Sequence, residues 1–324
     1  MNVTERTGLL LATAVAFTLS MMPASHTQPV TLRIGIGNAA EEPMFLLRAK
    51  PELGTNFGKS YVLDVMQFAS SDKRAQAFEA NAIDISVGAA NGVIFAAAEG
   101  VAGKIIASLS KESSRGFSTR FYVKENSPIK TVADMKGKTI GINGFSTSGH
   151  LWLRAALGKV NLADSDVTLV PVPFSAMEIA LESGKIDVGM FPQPYATLLE
   201  RQIKVRTLFD AKYGVPFDEE LTVVVTKDEF AKKNSAAVRG FLADLKTAMQ
   251  YYLSNTREAK QALVDAKLVR VPIEVYASMR DYYRDPTLKV DVAALEQMQA
   301  FQVSAGFQKK AIDVRSLVDL SYLD

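Results

Sequence analysis

The sequence predicts an α/β protein made of two related lobes, and three observations carry that prediction. The first is an internal repeat. Ala180-Leu-Glu-Ser-Gly-Lys-Ile-Asp-Val-Gly-Met190 has a near copy upstream, Ala77-Phe-Glu-Ala-Asn-Ala-Ile-Asp-Ile-Ser-Val87. In each copy an apolar-periodic segment stops at Gly184 or Asn81, residue types that tolerate the left-handed turn closing a helix. A short apolar run follows, as expected for a strand buried on both faces. The second observation is that matching strand and helix signals precede both copies. The third is length: 324 residues at 48% hydrophobic composition suffice for two lobes with their own cores.

In the first lobe, Thr31 to Gly37 reads as a strand and Pro43 suits the first turn of a helix over Met44 to Lys50. Val62 to Phe68 is the second strand, and a helix over Asp72 to Ala80 places Ala75 and Phe78 on one face. Ile83 to Val87 is the third strand, and an Ala-rich helix and a strand at Lys104 to Leu109 follow. The second lobe repeats the order. Strands are expected at Phe121 to Lys124, Thr139 to Ile142, Val167 to Val172, Ile186 to Met190 and Lys204 to Phe209. Alternation of this kind indicates parallel sheets covered by helices, with the loops after the strands gathered on one edge. Leu221 to Thr226 reads as a return strand, and crossings near 110–122 and 212–226 make a two-strand hinge. The tail is helical, with one stripe at Phe241, Leu245, Ala248 and Tyr252 and another at Val275, Met279 and Tyr282. The expected division is 1–28 an export signal, 29–116 the first part of lobe I, 117–220 lobe II, and 221–324 the return strand and helical tail completing lobe I.

Composition narrows the function. A formal net charge of +2 argues against a nucleic-acid or polybasic membrane-surface role, and no nucleic-acid partner is expected. The absence of cysteine excludes disulfides, thiolate metal sites, cysteine nucleophiles and a lipidated cysteine. Residues 1 to about 28 carry a polar start with Arg6 and an apolar stretch from Gly8 to Met22 too short for a membrane span. Export is expected, with cleavage near residues 24–28.

Catalytic machinery is scarce. Of two histidines, His26 falls at the signal boundary, and His150 is either a proton shuttle or a first-turn helix residue. One histidine without cysteine builds no common zinc site, no carboxylates have metal-loop spacing, and no serine sits in a Gly-x-Ser-x-Gly elbow. Ile34-Gly-Ile-Gly-Asn38 lacks the third glycine of a dinucleotide fingerprint. No catalytic residue, metal or cofactor is assigned. Binding chemistry is better represented. Gly144-Phe-Ser-Thr-Ser-Gly149 joins a strand to a helix start, where unpaired N–H groups and the hydroxyls of Ser146, Thr147 and Ser148 offer an oxyanion seat. Plain capping accounts for one of those hydroxyls. Ser70, Ser71 and Asn91 hold equivalent places in the first lobe, with capping again the alternative. Gln193 and Tyr195, in a loop stiffened by two prolines, either meet a ligand or pack. Phe145 and Phe174 either stack on a ligand or join the core.

Four segments carry a resemblance: Pro43-Met-Phe45, Phe78-Glu-Ala-Asn-Ala-Ile-Asp84, Val132-Ala-Asp-Met-Lys-Gly-Lys-Thr-Ile-Gly-Ile142 and Leu181-Glu-Ser-Gly-Lys-Ile-Asp187. The chain resembles substrate-binding proteins of ABC importers, in particular the nitrate/sulfonate/taurine group. That resemblance implies the two-lobed periplasmic binding protein fold of type II, and a monomeric, non-enzymatic periplasmic receptor. It further implies that the receptor closes on a small organic anion, of sulfonate or aromatic carboxylate class, and delivers it to an ABC permease and its ATPase. By the same resemblance, ligand contacts match Asn38, Ala39, Ser70, Asn91, Ser146, Thr147, Ser148 and Gln193. Two departures stand out. Acidic Glu41-Glu42 follow the first strand and leave room for a ligand amine, and Phe191-Pro-Gln-Pro194 replaces the tryptophan-containing version expected for taurine. The alternatives are an enzyme of the same fold related to thiamine-pyrimidine synthesis, or a sensory ligand-binding partner protein.

Overall fold

The computed structural model describes residues 28–323, apart from 38, 40, 69, 70 and 102 and the side chains of 71 and 72. The expected export signal lies outside the described residues except for its last position. The first lobe begins with β1 (Val30–Ile36), α1 (Glu42–Ala49), β2 (Tyr61–Gln67), α2 (Ser71–Glu79), β3 (Ile85–Ala89), α3 (Ala90–Ala98) and β4 (Lys104–Glu112). Then come β5 (Arg120–Lys124), β6 (Thr139–Ile142), α4 (Ser148–Gly158), β7 (Thr168–Pro171), α5 (Phe174–Glu182), β8 (Val188–Phe191), α6 (Tyr195–Gln202), β9 (Val205–Asp210) and α7 (Ala211–Gly214). Strand β10 (Glu219–Thr226) leads to α8 (Asp228–Lys233), α9 (Ser235–Ser254), α10 (Thr256–Asp265), α11 (Ile273–Ser278) and α12 (Val292–Ser304).

The strands form two five-stranded sheets of matching order, β2-β1-β3-β10-β4 and β7-β6-β8-β5-β9. The expectation of parallel sheets needs correction. β1 pairs in parallel with β2 and β3, and β6 with β7 and β8, but β10 runs antiparallel to β3 and β4. β5 is likewise antiparallel to β8 and β9. The physical reason is the crossing. Each strand that arrives from the other lobe enters its sheet at the fourth place from the opposite direction. Val223, Val224 and Val225 of β10 are buried, so this strand is central and more than a return path.

The repeat seen in the sequence has a defined structural role. Asn81 (φ 60°) and Gly184 (φ 76°) take the left-handed conformation after α2 and α5, their N–H groups donating to Phe78 and Leu181 carbonyls at 3.2 Å. The strands then start two residues later than the apolar runs suggest, so Asp84 and Asp187 stand at the strand mouths. Asp84 Oδ2 accepts from Arg33 N (3.2 Å) and Asp187 Oδ2 from Thr139 N (2.9 Å). In return Asp84 N donates to Arg33 O and Asp187 N to Thr139 O. Each aspartate therefore fixes the register of the third strand against the first.

Each sheet carries a core on both faces. In the first, Phe241, Leu245, Ala248 and Tyr252 of α9 pack with α1 and β1 residues on one side, and Phe78, Ile94, Leu295 and Met298 form the other. In the second, Trp152 and Leu153 lie opposite a face made by Met177, Phe191 and Leu199. The expected stripe at Val275, Met279 and Tyr282 is not one helix. α11 stops at Ser278, Met279 is extended, and the following segment runs beside β4, Lys111 N donating to Tyr283 O at 2.8 Å. That edge pairing outweighs helical periodicity there. The lobes are joined by the crossings 113–119 and 211–218, and two tail helices also reach lobe II, α11 against α6 and Phe301 of α12 against the core that holds Trp152.

Candidate functional site

A cavity of about 370 Å³ lies between the two sheets, lined by loops that follow strands in both lobes and by Thr119, Leu221, Thr222 and Tyr282 at the crossings. Its size falls in the range of small-molecule sites. The lobe II wall is the β6–α4 loop. Thr147 is the N-cap: its hydroxyl accepts from His150 N (3.4 Å) and lies 2.8 Å from Gly144 O and 2.9 Å from Asn143 Oδ1. That hydroxyl is committed to the loop. The Ser148 hydroxyl donates to Asn91 Oδ1 across the cleft at 2.7 Å. Ser146 takes φ 55°, its N–H donates to His150 Nδ1 at 3.3 Å, and the residue lines the cavity. Gly149 is pressed against β8, since a Cβ there would stand 2.2 Å from Met190 Sδ.

His150 itself is not a cavity residue. Its Nε2 meets Asp164 Oδ2 at 2.9 Å, and burial, the largest influence, holds its pKa below the ordinary value. The imidazole thus serves as neutral support behind the seat: Nδ1 accepts from Ser146 and Nε2–H donates to Asp164.

The lobe I wall contributes a charge that the sequence reading did not single out. Arg74 of α2 is 7% exposed and lines the cavity, with no hydrogen bond and no ion pair within 4 Å among the described residues. Three glycines on adjoining strand ends make room for it. A Cβ on Gly35 would stand 3.1 Å from Arg74 Cγ, on Gly37 2.8 Å from Nη1, and on Gly88 3.0 Å from Nη2. The Gly-x-Gly that fails as a nucleotide fingerprint is a passage for this side chain. Beside it is Glu41, 3% exposed, whose Oε2 accepts from Gly37 N at 2.7 Å. Desolvation, opposed by Arg74 and the Gly37 N–H, pushes the Glu41 carboxyl up to about 7.

The other sequence candidates divide. Ala39, Asn91, Phe145, Ser146, Thr147, Ser148 and Phe174 all line this cavity. Asn38 and Ser70 lie outside the described residues, as does the side chain of Ser71. Gln193 and Tyr195 sit elsewhere. Gln193 Oε1 accepts from Thr197 Oγ1 (2.9 Å) and N (3.3 Å) at the start of α6, and its Nε2 donates to Arg280 O (3.3 Å). It lines a second cavity together with Phe117, Arg120 and Arg280. Tyr195 packs behind Phe174 with ring centroids 5.7 Å apart. Both follow from the α6 start turning its first residues away from the cleft. Among the described residues no cluster of three or more His, Asp or Glu side chains is placed to hold a metal ion.

Two α/β lobes of matching topology, closed over an interlobe cavity that presents a buried cation on one wall and a helix start on the other, define a binding-protein architecture. The chain belongs to the NMT1/THI5-like family, whose model matches residues 62–259. It is 30% identical over 280 residues to an Escherichia coli K12 protein named "Putative aliphatic sulfonates-binding protein", covering 86% of this chain and 84% of that one. The crystal structure of the periplasmic aliphatic sulphonate binding protein SsuA from Escherichia coli superposes with a TM-score of 0.72 at 24% identity, covering 91% of this chain and 99% of that one. The desulfurization enzyme DSZB also shares the fold, with a TM-score of 0.63 at 13% identity over 91% of this chain and 97% of that one.

Proposed function

We propose that this protein is an exported, non-enzymatic receptor that closes on a small organic anion and delivers it to an ABC permease. The observation that carries the reading is Arg74. A guanidinium removed from water without a counter-ion is costly, and an anionic ligand in the cavity would supply the missing partner. Glu41 does not neutralise it fully, because a carboxyl titrating near 7 is partly protonated at neutral pH. Opposite stand Ser146 and the start of α4, so both ends of an anionic headgroup would meet donors. Phe145 and Phe174 flank this seat and suit an apolar ligand body. The E. coli relatives named for aliphatic sulfonates support the sulfonate class and the periplasmic setting.

Calorimetry of the wild type and Arg74→Ala with a panel of alkanesulfonates, arylsulfonates and aromatic carboxylates tests the reading. Truncating one partner of a buried charge pair costs about 2 kcal/mol or more, so affinity should fall roughly 30-fold or further. Arg74→Lys keeps the charge without the planar fork and should lie between. Equal affinity of Arg74→Ala and wild type, with both folded by thermal melting, overturns the anion reading. Catalytic turnover of any bound member of the panel overturns the non-enzymatic one.

A further inference from the structure

The second cavity, of about 340 Å³, lies where the two lobes meet. Lobe II supplies Arg120 of β5 together with Gln193 and, from α6, Glu200 and Arg201. Lobe I supplies Ser278, the last residue of α11, and Arg280 of the segment that turns toward β4. The cavity is distinct from the interlobe one. Tyr282, which lines the interlobe cavity, stands between them: its hydroxyl accepts from Gln193 N at 3.4 Å, and its ring meets Phe117 edge to face at 5.4 Å. Bonds between the lobes hold the second cavity in shape. Gln193 Nε2 donates to Arg280 O at 3.3 Å, and Arg201 Nη2 donates to Ser278 Oγ at 2.9 Å. Three guanidiniums against one carboxylate make the lining cationic. Glu200 is already committed, its Oε1 accepting from Arg120 Nη1 at 2.9 Å and from the Tyr122 hydroxyl at 2.6 Å. Among the described residues Arg201 and Arg280 have no carboxylate partner. Beyond the Ser278 bond of Arg201, Arg280 Nη2 donates to Ser114 O at 3.1 Å. A guanidinium carries five N–H donors, so most of theirs remain for water or a ligand.

We propose that this cavity is a second ligand site, which takes a small multivalent oxyanion such as phosphate or sulfate between Arg201 of lobe II and Arg280 of lobe I, with Arg120 beside them. Planar guanidinium forks match the oxygens of such ions, and several cations around one ion favour a multivalent charge over a single one. Arg201 and Arg280 are exposed, so the ion reaches them directly from solvent. Because the two arginines come from different lobes, the bound ion bridges them. The site stands whether or not the interlobe cavity takes an anion.

The test is calorimetric titration of phosphate, sulfate and acetate, at constant ionic strength, into the wild type, Arg201→Ala, Arg280→Ala, Glu200→Gln and Arg74→Ala. Phosphate and sulfate should bind the wild type, with acetate roughly tenfold weaker or more. Arg201→Ala and Arg280→Ala should each weaken both multivalent ions roughly tenfold. Glu200→Gln removes the one carboxylate, keeps an acceptor for Tyr122 and frees Arg120, so it should tighten them about threefold. Unchanged affinity in both arginine variants, each folded by thermal melting, overturns the proposal. Affinity lost in Arg74→Ala alone also overturns it, since the ion would then occupy the interlobe cavity. Acetate binding as tightly as sulfate overturns the multivalent class, and no binding of phosphate or sulfate by the wild type overturns the site outright. The gain in Glu200→Gln is a result that misfolding does not mimic, so the proposal stays open to refutation even where an arginine variant fails to fold.

Discussion

Arg74 and Glu41 are both buried at the cavity wall, and the charge of each bears on the other. Glu41 titrates near 7, with desolvation raising its pKa, Arg74 and the Gly37 N–H lowering it, Glu42 raising it and Arg284 lowering it by smaller amounts. An anion docking on Arg74 adds negative charge beside Glu41, which favours the protonated carboxyl further. Binding should therefore take up protons. Affinity for the anion is expected to be higher at pH 6 than at pH 8, with the fall setting in near 7 and continuing to higher pH, and Glu41→Gln should flatten the profile. A profile in Glu41→Gln identical to that of the wild type would remove Glu41 from the account. At this scale the sequence was legible where geometry is local. Asn81, Gly184, Asp84 and Asp187 stand out because the turn and the register bond lie within a repeated short pattern. Arg74 did not, because a cation in Ser71-Asp-Lys-Arg74 reads as an ordinary solvated helix face. Its burial depends on Gly35, Gly37 and Gly88, which come from two other strands.

The crossing strands show how an element acquires chemistry that its own sequence does not announce. Glu112 at the end of β4 and Glu219 and Glu220 at the start of β10 are all nearly or fully buried. Glu220 pairs with Lys111 Nζ at 3.0 Å, and Glu219 accepts from Trp152 Nε1 at 2.9 Å and from Lys212 Nζ at 3.3 Å. Among the described residues Glu112 has no cation in contact. It accepts from Thr119 N and Oγ1, both at 2.9 Å, and burial pushes it up to about 7 against the pull of Lys212 and the Ser118 hydroxyl, with Glu219 adding to the rise. A carboxyl raised above its unfolded value binds more protons folded than unfolded. Its contribution to stability is whole below about pH 4.5 and is lost as pH climbs through 7. Glu112→Gln, which stays neutral, should therefore gain on the wild type in melting temperature between pH 5.5 and pH 8. A constant difference across that range would show that Glu112 does not titrate there. The sequence marked these segments as crossings from their β-branched pattern. It gave no sign that three glutamates would be interior, because their partners arrive from α4, α7 and the segment after α11.

For the whole molecule, two lobes were readable because the chain repeats its own plan, and the mixed sheets were missed because insertion of β5 and β10 is a long-range event. The contacts that hold the lobes together were equally hidden. α12 packs on the first lobe, yet the chain just beyond it touches α4 of the second. Arg154 Nη1 donates to Ala305 O at 3.3 Å, the Arg154 guanidinium lies 4.3 Å from the Phe307 ring centre, and the His150 and Phe307 rings are 4.8 Å apart. His150 also holds the Ser146 backbone, so this contact sits directly behind the anion seat. Phe307 thereby links the segment after α12 to the loop that carries Ser146. A contact made in the closed form but not in the open one stabilises the bound complex without assisting encounter, so its loss appears in dissociation. Removing the ring forfeits a cation–π contact of about 0.5–2 kcal/mol, and Phe307→Ala should speed ligand dissociation roughly two- to thirtyfold while association stays nearly constant. Stopped-flow kinetics separates the two, and small-angle scattering of the unliganded variant should show a larger radius of gyration than the wild type. An unchanged dissociation rate would place Phe307 outside the closing contact. A slowed association rate would assign it to the open form instead, where it would order the Ser146 loop before the ligand arrives.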